Sequence, residues 1–241
     1  MNQKSDVHEL MAHYSAGQRK FSSVVLREVD LINVQLAEAD FSQADLRQSR
    51  LGKTNFSRGS FANADLSEAI LWGTNLSNAN LTQAVLRETD LSGAILAQAQ
   101  LVEANLIKAS LCGANLSNAQ LDRALLIEAD LRSGSDQQTN LSQASLVAAN
   151  LSYANLSGAL LCQANLAGAK LCRAVLIQRS PQMLAPTDLT EANLQGADLS
   201  YADLSGVLLK RANLRNADLT GTILNHADLS EAIMPDGSVH S

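Results

Sequence analysis

Aromatic side chains are scarce in this chain: Phe, Tyr and Trp together make up 3% of 241 residues. A core of ordinary globular shape draws much of its volume from such rings. Apolar residues still reach 46%, so Leu and Ala must do the filling, and the interior they can fill is narrow and regular. Positive charge is also short. Lys and Arg number 18 against 24 acidic residues, a net charge of −6, the opposite of the basic footprint that nucleic-acid binding needs. Apolar runs last only a few residues, too short for a membrane-spanning helix. The opening MNQKSDVHEL has no apolar stretch of the secretory kind. Three cysteines, an odd number without metal-ligand spacing, fit a reducing compartment, and a cytoplasmic location is the expectation.

What the chain does have is a period. From Phe21 in steps of five, every position to Leu131 is Leu or Phe. Asp136 interrupts the series, Leu141 to Leu176 resume it in the same phase, and Leu189 to Leu229 with Met234 come after a jump of thirteen. All four Phe fall on these 41 centres. Such self-similarity marks a repeat architecture. In a helix, five residues turn by about 500°, which would scatter the leucines around the axis. In a straight strand an odd step would send them to alternate faces. Within each unit, however, Ala stands two before Leu, a strand spacing that points both inward. The two residues before the next Ala must then turn a corner. Four equal corners close a square in twenty residues, and squares stack at about 4.8 Å.

The recurring A(D/N)Lxx unit, as in ANLSYANLSGALL at 149–161, resembles the pentapeptide repeat family over roughly residues 20–234. That resemblance implies an all-β fold, a right-handed quadrilateral β-helix, here of about ten coils. The expected division is an N-terminal helical cap at 1–20, the β-helix at 21–234 and a tail at 235–241. Val7, Leu10, Met11 and Tyr14 lie on one helix face within 6–16, with Gly17 as its stop, and suit a lid on the first coil. Residues 132–140 should bulge outward at a corner. Residues 177–188, with two prolines and the phase jump, should form a protruding loop.

No catalytic set emerges. His8 and His13 lie at one end of the chain and His226 and His240 at the other, so no nucleophile, base and acid converge. Cys112, Cys162 and Cys172 each follow a central Leu and should point outward. Steps of twenty put Cys112 and Cys172 on one face, three coils apart, too far for a disulfide. Neither a phosphate loop nor a metal-ligand spacing is present, so no enzyme, cofactor or metal is expected, and no small-molecule substrate.

Interaction surfaces remain. Steps of twenty stack Leu31, Leu51, Leu71, Leu91, Leu111, Leu131, Leu151 and Leu171 on one face. It carries Ile70, Trp72 and Gly73, with Gly52, Gly93 and Gly113 near a corner, and Asp90, Asp130, Asn150 and Tyr153 further along. An exposed Trp beside small residues suits a protein partner. The second candidate face, along Leu26 to Leu166, presents Arg27, Arg47 and Arg87 beside Glu28, Glu68 and Glu88. It ends in an apolar stripe of Ile107, Ile127 and Val147.

Stretches not dictated by the repeat, among them AHYSAGQRKF, EAILWGTNLS, ANLIKASLCGANL and EAIMPDGSVHS, are similar to a cyanobacterial member of the family linked to heterocyst differentiation. That likeness implies a regulatory adaptor whose partner is the differentiation regulator HetR and which opposes HetR's inhibitory peptide; a monomer is the separate expectation. The alternatives are a scaffold or stress protein without a single partner, and a DNA mimic that binds gyrase. The last is disfavoured by the modest charge, the Arg residues among the Glu ladder and the missing C-terminal dimerisation helix.

Overall fold

The computed structural model describes residues 3–177 and 185–241. Helix α1, Gln3–Ser15, begins three residues earlier than the apolar spacing suggests. It ends in a Schellman arrangement: Gly17 takes φ +92, its N–H donates to Tyr14 O, and Gln18 N–H donates to His13 O, which satisfies carbonyls the helix leaves over. Leu10 is 4% exposed, and Val7, Met11 and Tyr14 pack on the apolar core. The Tyr14 hydroxyl donates to Ala37 O at 3.0 Å, tying α1 to the first coil of the repeat.

From Lys20 onward the chain winds as a β-helix built from single-residue parallel bridges. Lys20 pairs with Asp40, Val25 with Asp45, Asp30 with Arg50 and Gln35 with Asn55, so each turn takes twenty residues and carries four bridges. One unit shows the wiring. Leu96 N donates to Asn115 O at 2.7 Å and Gln98 N to Ser117 O at 2.9 Å in the next turn, while Gln100 N reaches back to Ala79 O at 2.9 Å. Leu96 and Ala99 are fully buried, and the corner between them is a β-turn closed by Ala99 N donating to Leu96 O at 3.0 Å. Its third residue, Gln98, has φ +60, the mark of a type II turn. The same left-handed residue recurs in nearly every unit, and Val, Ile, Thr and Pro are absent from that column, as β-branched and ring-locked residues should be. The frequent Asn or Asp before each Leu has a local cause too. Asp90 Oδ1 accepts from Ser92 N at 2.9 Å, and Asn150 Oδ1 from Ser152 N at 3.1 Å, so these side chains brace the turns.

Two insertions lengthen the winding without disturbing the core. From Asn115↔Asn140 to Asp130↔Asn155 the bridges span 25 residues, and from Leu160↔Asp188 to Val175↔Asp203 they span 28. The extra residues sit between Leu131 and Leu141 and between Leu176 and Leu189. Both therefore leave the helix at the same corner, with the uninterrupted corner after Leu156 between them. At the foot of each, a fully buried Thr replaces the inward Ala. Thr139 accepts from Gly113 N at 2.8 Å and donates to Arg132 O at 2.6 Å; Thr187 accepts from Gly158 N at 2.8 Å and donates to Leu176 O at 2.5 Å. Of the loop expected at 177–188, residues 178–184 lie outside the described residues.

The extra residues correct the outer map. A step of twenty holds without a break only to Asp130, becomes 25 across the 132–139 segment, and resumes from Asn140. Leu131 stacks on Leu156, not on Leu151, because the 132–139 segment adds five residues to one turn. Asn150 and Tyr153 consequently leave the row of Trp72 and join that of Ile107 and Ile127, while Val147 leaves that row and lies beneath Asp122, whose Oδ1 accepts from Val147 N at 3.0 Å. The cysteines move likewise. Cys112 is in the Trp72 row, Cys162 in the next, and Cys172 in the Tyr153 row; all three are free.

The far end of the winding is closed on one side only. A hairpin over Met234–Ser238 sets Val239 antiparallel to Ile233. Along the rest of the last turn, Leu219, Leu224 and Leu229 are only partly buried.

Candidate protein-interaction surface

Ile70 and Trp72 are each 38% exposed. The indole lies flat on the turn above it: a Cβ placed on Gly52 would stand 2.6 Å from its Nε1 and 2.9 Å from its Cε2. Lys53 Nζ is 4.7 Å from the ring centroid, within cation–π range. One face of Trp72 is thus occupied by its own protein and the other is open. Gly73, at φ +63, is simply a corner residue. Asp90 braces its own turn. Asp130 is ion-paired to Arg132 at 2.7 Å. Burial lifts its carboxyl, but the hydrogen bonds from Arg132 outweigh this and hold it below the ordinary range.

Further down the same row the chain covers itself. The 132–139 insertion folds over Gly93 and Gly113, with Gln137 Nε2 donating to Gly113 O at 2.5 Å and Gly134 N to Gln137 O at 2.8 Å. A shallow depression remains, lined by Ser92, Cys112, Asp136 and Gln137. The glycines that looked like room for a partner are in part room for the protein's own loop. Burial pushes the Cys112 thiol up. Burial, then the neighbouring Asp188, pushes Cys162 up to about 12, so neither is a ready nucleophile.

The second face has two characters. Near the N-terminus it neutralises itself. Asp45 receives Arg27 at 2.5 Å and Arg47 at 2.8 Å; the Arg47 hydrogen bond above all, against the pull of burial, holds its carboxyl well below the usual range. Ile107 and Ile127 then form a half-buried stripe beside Leu125, which is 37% exposed. Below them, in the corrected register, Tyr153, Arg173 and Tyr201 stack on successive turns. The Arg173 guanidinium carbon stands 5.8 Å from each ring centroid. The tyrosines are 53% and 59% exposed. Tyr201 in turn lies on Gly221, where a Cβ would meet its ring at 2.7 Å. Arg173 stands one regular step of twenty beyond Tyr153, whereas Tyr201 does not follow from that step because it stands 28 beyond Arg173. The signal was available: the phase jump between Leu176 and Leu189 supplies the missing eight.

Among the described residues no three His, Cys, Asp or Glu side chains are grouped to hold a metal ion. No helix among them is long and apolar enough to cross a membrane.

The repeat is matched by the family model described as pentapeptide repeats, in eight copies over residues 20–58, 60–98, 99–133, 139–177, 187–225 and 197–236. A search of curated proteins finds no match. Among solved structures, the chain is similar to HetL of the cyanobacterium Nostoc sp. strain PCC 7120, a pentapeptide repeat protein involved in heterocyst differentiation regulation. Identity is 57%, coverage 97% of this chain and 98% of that one, and the TM-score 0.95. A pentapeptide repeat protein of the Arabidopsis thaliana thylakoid lumen matches at 25% identity over 42% of this chain and 68% of that one, with a TM-score of 0.34. QnrB1, a plasmid-mediated fluoroquinolone resistance protein, matches at 17% identity over 84% and 90% of the two chains, with a TM-score of 0.33. The chain belongs to the pentapeptide repeat family, and its fold is a right-handed β-helix.

Proposed function

We propose that this protein is a non-enzymatic regulator of heterocyst differentiation that binds the transcription regulator HetR and opposes HetR's inhibitory peptide. The observation that carries this reading is the 57% identity with HetL, spread over 97% of the chain. We take the molecule to be a monomeric cytoplasmic rod of four sides and about ten coils, with residues 1–20 as its cap, 21–234 as its body and 235–241 as its tail. A rod of this kind presents side chains at fixed intervals on a rigid support, so a partner is met by surface rather than by a pocket. Imitation of DNA finds little support, since carboxylates such as Asp45 and Asp130 are engaged by arginines.

The test is calorimetric titration of the protein into HetR, alone and with the inhibitory peptide prebound. Micromolar or tighter binding that weakens the peptide's affinity supports the reading. Binding that leaves the peptide's affinity unchanged removes the antagonism, and no binding at high concentration removes the partner.

A further inference from the structure

Tyr153, Arg173 and Tyr201 form an exposed stack on successive turns of the rod. All three residues occupy left-handed corners, at φ +62, +57 and +57, so the backbone fixes where each side chain starts. Each is then braced by the next: Tyr201 rests on Gly221, and Arg173 lies between the two rings. Stacked in this way, the guanidinium loses little conformational freedom on binding, which favours recognition.

Arg173 differs from most other arginines of the rod, although Arg87 and Arg215 share its lack of an ion pair among the described residues. Arg50, Arg58, Arg123 and Arg211 each reach a carboxylate in a neighbouring turn, whereas among the described residues Arg173 reaches none. Two carboxylates on the next turn accept hydrogen bonds at their own corners. Asp198 Oδ1 accepts from Ser200 N at 3.0 Å, and Asp203 Oδ1 from Ser205 N at 3.1 Å. Lys170 in the same turn adds positive charge. One column round, half-buried Val175 and Ile223, which is 44% exposed, stand on either side of Asp203, so the margin of the ladder is apolar at both ends and acidic between. A braced cation, two rings of the type enriched at interface centres and the exposed Ile223 make up one patch. The patch holds Arg173 and Lys170 rather than the run of basic residues that a nucleic-acid backbone needs.

We infer that this corner docks an acidic segment of a protein partner, with an Asp or Glu carboxylate meeting Arg173 between the tyrosines and apolar side chains lying toward Ile223. The identity of that partner as HetR rests on the function proposed above.

The experiment is calorimetry of HetR with the full chain and with Arg173→Glu, Tyr201→Ala and Trp72→Ala, each first checked for an unchanged thermal midpoint. The ladder predicts that Arg173→Glu and Tyr201→Ala weaken Kd by about thirtyfold or more, as hot-spot losses do. Trp72→Ala should stay within about threefold, the noise of a contact outside the interface centre. Tight binding by the parent with Arg173→Glu equally tight would overturn the corner and leave the regulator reading standing. Absence of binding by the parent would overturn both.

Discussion

Ala148 and Ala149 are chemically identical neighbours, and the same substitution should move stability in opposite directions at the two sites. Ala148 is an exposed corner residue at φ +56. Ala149 is wholly buried beside the leucines. Their amides are both bonded, Ala148 N to Ala167 O at 2.9 Å and Ala149 N to Leu146 O at 3.0 Å, so neither change breaks a hydrogen bond. At 148, glycine relieves a left-handed penalty of about 1–2 kcal/mol and adds about 0.5–1 kcal/mol of lost chain freedom. The net is a stabilisation of about 0.5–1 kcal/mol. At 149 it removes a buried methyl, about 0.8 kcal/mol, and adds the same chain-freedom loss, for a destabilisation of about 1.5 kcal/mol. In a chain of this length each kcal/mol moves the midpoint by about 2–4 °C. Thermal unfolding followed by circular dichroism should show Ala148→Gly rising by about 1–4 °C and Ala149→Gly falling by about 3–6 °C. Ala148→Val should fall as well, because a β-branched side chain resists that corner. Equal losses at 148 and 149 would refute the idea that the corner itself demands the left-handed residue.

Thr187→Ala, which leaves the buried Gly158 N–H without its acceptor, should lower stability by about 1–3 kcal/mol; Thr187→Ser should recover most of it in guanidinium titration, and Thr139 should behave alike. Asp45→Asn should lower the thermal midpoint at neutral pH. Since the Asp45 carboxyl is depressed from a reference value of 3.8, its contribution is complete above about pH 4–5 and fades as pH falls below that reference toward the folded value. The gap between parent and variant should therefore close in acid, and a constant gap down to about pH 2 would refute the Arg47–Asp45 assignment. Cys162, with its thiol raised to about 12, should alkylate at pH 8 at least about a hundredfold more slowly in the folded protein than after denaturation, as timed iodoacetamide labelling and mass spectrometry would show.

The sequence reveals the core almost residue by residue, because a five-residue step of Leu behind Ala has few geometric solutions. Leu31 to Leu176 and Leu189 to Leu214 are buried where the period puts them. The surface is harder to read. Whether two outward residues are neighbours depends on the count around one full turn, and a single extra pentapeptide at 132–139 shifts that count while leaving every leucine in phase. Asp136 advertises a bulge but not which turn absorbs it. For that reason a count of twenty places Trp72 correctly and Tyr153 one row off, and it does not bring Tyr201, 28 residues beyond Arg173, onto the same ladder. The stacking of Trp72 on Gly52, by contrast, follows from the step of twenty between them, because no insertion intervenes.

The shared exit of the two insertions has an evolutionary corollary. Trimming the residues between Leu131 and Leu141, or between Leu176 and Leu189, would leave every other side chain beside its present neighbours, because the chain re-enters in the next row whatever the length of the detour. Losing one ordinary pentapeptide is a different event. Everything downstream would move one row round, and each ladder crossing the deletion would be dealt new partners while the interior looked untouched. Lineages of this fold should therefore tolerate length change freely at that corner and elsewhere only in steps of twenty. A gap of five in a relative would mark a rod whose outer face has been reassigned.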